Sequence, residues 1–96
     1  MSVLVALIPS EKEPEKKWLK IYNLDACEGS SLETFVSALE SDGSKVEKVN
    51  YVKTTGSKIK SIVVSLKTDA DKIFPHIMAR FMAITGQGFK RITDGT

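Results

Sequence analysis

A single cysteine, Cys27, stands among the 96 residues. It cannot form an internal disulfide, which suits a reducing cytoplasm. A single histidine, His76, has no cysteine or second histidine near it, which excludes a zinc-type ligand pattern. No apolar run approaches the roughly 20 residues that span a bilayer. Val3 to Ile8 is too short for a signal peptide and has no basic segment before it. Charge of one sign is scarce too: a net +2 is far from the excess of a dedicated nucleic-acid packager. No Ser-His-Asp order, paired-acid spacing or phosphate-binding glycine loop occurs in a supporting context. These absences point to a non-enzymatic module without metal or cofactor.

What is present is enough apolar material, 42% beside 27% charged residues, for one packed core. The chain divides into an extra strand (1–8), a charged linker (9–17), a core (18–93) and a tail (94–96). Ser2 to Ile8 (SVLVALI) is an apolar strand buried on at least one face, ended by Pro9. Ser10 to Lys17 (SEKEPEKK) contains Pro14 and reads as solvated connection. In Trp18 to Leu24 the side chains alternate, with Leu19 and Ile21 on one face and Trp18, Lys20 and Tyr22 on the other.

Ser30 and Glu33 have capping-box spacing, and Leu32, Phe35, Val36 and Leu39 follow as one apolar stripe of a helix. Asp42-Gly43 stops it, glycine accepting the left-handed conformation. Lys45 to Lys53 and Lys58 to Lys67 are the arms of a hairpin. A turn centred on Thr55-Gly56 sets Val49 opposite Ile62, with Tyr51, Val64 and Leu66 on the same core face. The opposite face then shows Val46, Lys48, Asn50, Val52, Ile59, Ser61, Val63 and Ser65. A second helix begins near Thr68 or Asp69 and ends before Gly86, its apolar side formed by Ile73, Phe74, Ile77, Met78, Phe81 and Ile84. Pro75 should kink it or restart it. Gly88 to Thr93 is the last strand.

The strand–helix–strand order, repeated from Trp18 to Thr93, predicts an α+β fold. It would be a ferredoxin-like β-α-β-β-α-β antiparallel sheet with two helices on one face, preceded by the extra strand. Trp18 to Leu24 is then central, between the third and last strands. The extra strand must add to an outer edge, replace the last strand, or pair with another molecule as a homodimer. A rival β-β-α-β-β-α layout makes a hairpin of Ser2–Ile8 and Trp18–Leu24.

Trp18 to Thr93 resembles an RNA-recognition motif. Leu19-Lys20-Ile21-Tyr22-Asn23-Leu24 is similar to that family's first signature hexamer. Val46 to Gly56 and Ile62 to Asp71 have the rhythm of its second and third strands, and Thr85 to Ile92 returns through glycines to its last strand. The resemblance implies single-stranded RNA bound on the open sheet face, with bases stacked on aromatic rings. The family's stacking positions fall here on Lys20, Ser61 and Val63, none of them aromatic. Trp18 and Tyr22, on the same face as Lys20, are the rings available to substitute, although the family pattern does not place rings there. The same order also resembles ACT-type regulatory domains.

The expected nucleic-acid-binding set is therefore Trp18, Lys20, Tyr22, Lys48, Asn50 and Ser61 on the open face, with Lys53, Lys58 and Lys60 on a lysine-rich hairpin. The competing expectation is a protein-interaction or regulatory module that dimerises through a sheet edge or helix. The loop Asp25 to Ser31 leads into a helix start where an ACT-like ligand would sit, although Asp25 and Glu28 repel anions and disfavour a Cys27 thiolate. His76 and Arg80 read as surface residues.

Overall fold

Alternating buried and half-exposed side chains build five strands from the apolar runs: β1 (Val3–Pro9), β2 (Lys17–Tyr22), β3 (Val46–Lys53), β4 (Ile59–Leu66) and β5 (Phe89–Arg91). The helices are α1 (Gly29–Glu40) and α2 (Ala70–Thr85). The computed structural model describes residues 2–93 except Thr55, Ser57 and Thr68. The strands form one sheet in the order β3-β4-β2-β1-β5, antiparallel throughout except for the parallel pair β1 and β5.

The fold is α+β, but the sheet order is not the ferredoxin-like one. β1 lies directly beside β2, from Leu4 opposite Tyr22 to Pro9 opposite Lys17, in the seat expected for the last strand. That strand, β5, moves outward to pair with β1. The hairpin of the rival layout is the one that forms. Residues 10–16 turn the chain back, the Ser10 amide donating to the Lys16 carbonyl at 2.9 Å and the Lys16 amide to the Glu13 carbonyl at 2.8 Å. A connection this short costs less closure entropy than a distant pairing. It also sets Val5 against Ile21 and Leu7 against Leu19 on the core face.

In α1 the stripe Leu32, Phe35, Val36 and Leu39 is buried as the spacing predicts. Its start differs. Glu28 is the N-cap residue and makes no side-chain cap, so Ser30 lies within the first turn and the capping box does not form. The Thr34 hydroxyl instead donates to the Ser30 carbonyl at 2.9 Å. Nor is Gly43 a left-handed stop: positive φ among the described residues occurs only at Asn23, Asp69 and Gly86. The Ser41 and Asp42 amides close α1 on the carbonyls of Ser37 and Leu39.

Helix α2 runs without interruption through Pro75 and does not restart there. The missing amide deprives only the Asp71 carbonyl of its donor, in an exposed first turn that water reaches. Its apolar side is buried as expected for Ile73, Phe74, Ile77, Met78 and Phe81. Gly86 ends it at φ 72°, the left-handed geometry that favours glycine, its amide donating to the Met82 carbonyl at 2.9 Å. Of the starts expected near Thr68 or Asp69, Asp69 is the N-cap residue of α2, and Thr68 lies outside the described residues.

The β3–β4 register is displaced by two residues. Val49 faces Val64 and Tyr51 faces Ile62. The Thr54 amide donates to the Lys58 carbonyl, which closes a loop one residue longer than the expected turn, and β4 has a bulge at Lys60. The turn residues Thr55 and Ser57 lie outside the described residues. A second bulge falls at Glu47. Because each bulge inserts one residue, the side chains beyond it change face. Val46 and Ile59, expected on the open face, are buried in the core. Tyr51, expected in the core, is 43% exposed at the rim of the outer strand. A single apolar cluster unites the helices with one sheet face, and Phe35 meets Phe81 edge-on at 5.2 Å in its middle.

Candidate nucleic-acid interface

The pairing register fixes which side chains turn away from the helices. Trp18, Lys20 and Tyr22 of β2 occupy the middle of that face. Ser65 and Val63 of β4 lie opposite Trp18 and Lys20, and Lys48 and Asn50 of β3 lie beyond them, opposite Ser65 and Val63. On the other side, Ile8, Ala6 and Leu4 of β1 lie opposite Trp18, Lys20 and Tyr22, and Lys90 of β5 faces Leu4. Ala6 is wholly covered by its larger neighbours although no helix lies over it.

The bulges add Glu47 and Lys60 to this side, each being the extra residue between an inward-facing neighbour and an outward-facing one. Charge is therefore divided between the layers of the fold. Half of the fourteen basic residues lie in strands (Lys17, Lys20, Lys48, Lys53, Lys60, Lys90 and Arg91). Glu47 is the only acid in a strand among the described residues. It is held by Lys16 at 3.6 Å. Glu13 and Glu47 together push the Lys16 ammonium pKa up, Glu13 contributing more. Lys20, Lys48, Lys60 and Lys90 form no ion pair with any described residue.

Of the expected set, Trp18, Lys20, Tyr22, Lys48, Asn50 and Ser61 share one face, with Lys60 brought there by its bulge. Lys53 and Lys58 do not join them. The Lys53 ammonium lies 5.6 Å from the centre of the Tyr51 ring, at the rim beside α1. The Lys58 ammonium donates to the Asp25 carbonyl at 2.7 Å. The lysine-rich finger is thus divided further: Lys45 pairs with Asp42 at 3.5 Å, and Lys67 donates to the Gly43 carbonyl. Leu4, Ile8 and Lys90 are absent from the expected set because the ferredoxin-like layout does not place β1 beside β2; only the rival layout does. The run Val3 to Ile8 is apolar at every position, so it carries no alternation that would assign Leu4, Ala6 and Ile8 to one face.

The other candidate regions are structural in their contacts. Cys27 is buried, and burial pushes its thiol pKa up, with Lys58 opposing only in part. The direction is the one expected, but the cause is desolvation and not Asp25 or Glu28. Asp42 joins the helices: it accepts from the Ser44 hydroxyl at 2.9 Å and lies 3.6 Å from Arg80. The Ser44 hydrogen bond, then Lys45 and Arg80, lower its carboxyl pKa against the opposing effect of burial. His76 and Arg80 line a small cleft of about 140 Å³ beside it. Among the described residues no three His, Cys, Asp or Glu side chains gather as metal ligands, and no helix is long and apolar enough to cross a membrane. No protein-family model matches the chain, nor does any curated protein or solved structure show significant similarity to it.

Proposed function

We propose that this is a non-enzymatic, RNA-recognition-motif-like module that binds single-stranded RNA across the open face of its sheet. The reading rests on one observation: two rings, Trp18 and Tyr22, flank Lys20 on a face where the only strand acid among the described residues, Glu47, has its charge offset by Lys16 at 3.6 Å. Four residues at about 3.3 Å each set the rings about 13 Å apart along β2, so that separate bases can stack on them. Each stacked base contributes about 1–3 kcal/mol and requires no particular sequence. Lys20, Lys48, Lys60 and Lys90 contact phosphates around the rings. Such a module belongs in the cytoplasm, where one buried thiol stays reduced.

The test is an amide NMR titration with a short single-stranded RNA. Shifts should concentrate on β2, β4 and β1, and three or four lysine contacts should give a log-affinity against log-salt slope of roughly −2 to −3. Trp18→Ala combined with Lys20→Ala should abolish binding at micromolar RNA while leaving the fold intact. An unchanged sheet spectrum at that concentration would remove the reading. A second reading is a protein-interaction module that dimerises, favoured by Leu4 and Ile8 beside the rings. A doubled solution mass that Leu4→Lys reduces to the monomer value would support it instead.

A further inference from the structure

We propose that the cleft at the Trp18 end of the open face holds one base of the bound strand and prefers guanine, an inference that rests on the RNA-binding reading above. The cleft, about 170 Å³, lies where the loop 10–16 folds beside the sheet corner. Its walls include Trp18, Ser65, Glu47, Glu13, Lys12 and Lys16. The space is small and half open, suited to a planar ring with its sugar and phosphate outside. Trp18 offers a stacking surface, and Lys12, which pairs with no described residue, is available for the outer phosphate.

Glu47 gives the cleft its selectivity. Lys16 stands 3.6 Å from Oε2, too far for a good hydrogen bond, and no described group is placed on Oε1. The carboxylate therefore keeps acceptor capacity that a base edge can use. Guanine alone presents two adjacent donors on its Watson–Crick edge, N1–H and the N2 amine, which match the two oxygens of a carboxylate. Adenine and cytosine offer one amine beside a ring-nitrogen acceptor. Uracil offers one N–H between two carbonyl oxygens that a carboxylate repels. The carboxylates do not make the cleft hostile to RNA, because Lys12 and Lys16 balance Glu13 and Glu47 along its walls, and Lys17 is neutralised by Asp71 at 3.1 Å.

Trp18 is the only tryptophan, so its fluorescence reports the cleft directly. The experiment titrates the full chain and Glu47→Ala with the tetranucleotides UUUU, UUGU and UUIU, the inosine lacking the N2 amine. UUGU should bind about tenfold more tightly than UUUU, with UUIU between them. Glu47→Ala should bring all three within about twofold, while UUUU itself binds no more weakly because a negative charge has gone. Equal affinity for UUGU and UUUU overturns the guanine preference and leaves the binding reading standing. A preference that survives Glu47→Ala overturns the role of Glu47. Absence of binding by all three in fluorescence and NMR overturns both readings together.

Discussion

The two faces of the sheet are made of the same strands and differ in almost everything else. On the covered face Leu19, Ile21, Ile62 and Val64 are fully buried under two helices. On the other, their immediate chain neighbours Lys20, Tyr22, Ser61 and Val63 are only partly covered by one another. Among the described residues no polar or charged side chain is buried. One face therefore carries most of the stability, and the half-exposed side chains of the other can vary in chemistry with little loss of packing.

The largest test of that division is Phe81→Ala. Phe81 is fully buried and meets Phe35 edge-on, so the variant should lose about 3–5 kcal/mol in urea unfolding, a large share of a small domain's stability. A finer test compares two neighbours with an isosteric change. Val64→Thr places a hydroxyl in the core and should cost about 1–3 kcal/mol, whereas Val63→Thr on the open face should stay within about 0.5 kcal/mol. Equal losses would mean that the open face is covered too. The smallest effect concerns Asp42, whose carboxyl is held below its ordinary pKa. Its stabilisation is present above the ordinary carboxylate range and is lost as pH falls through the depressed folded value. The difference in urea midpoint between the parent chain and Asp42→Asn should therefore shrink on acidification from neutral pH towards pH 3.

The covered face was the more legible in sequence. Leu32, Phe35, Val36 and Leu39 announce a helix by spacing alone, and the stripe of α2 does the same despite Pro75. The alternation in β2 assigned Trp18, Lys20 and Tyr22 to one side, and the sheet keeps them there. The bulges were not legible, because one inserted residue changes no composition and breaks no pattern long enough to notice. Val46 and Ile59 were misassigned for that reason. Lys53 and Lys58 were misplaced for another: a lysine's sequence position does not reveal that its ammonium will reach a ring or a carbonyl nearby. The strand order depended on whether residues 10–16 act as a tether or a turn, and their charged, proline-containing sequence permits either.

The placement of β1 has a kinetic consequence. This strand is held on one side by β2, across a short turn, and on the other by β5, with Val3 facing Phe89 from almost the opposite end of the chain. Closing the first pairing costs little chain entropy, whereas the second must bring together segments separated by both helices and the other hairpin. The hairpin should be able to form early, and the β5 edge should close only after α2 has docked and brought Phe74 against Phe89. Mutations in the β1–β2 turn should then appear mainly in the folding rate, and those at Phe89 mainly in the unfolding rate.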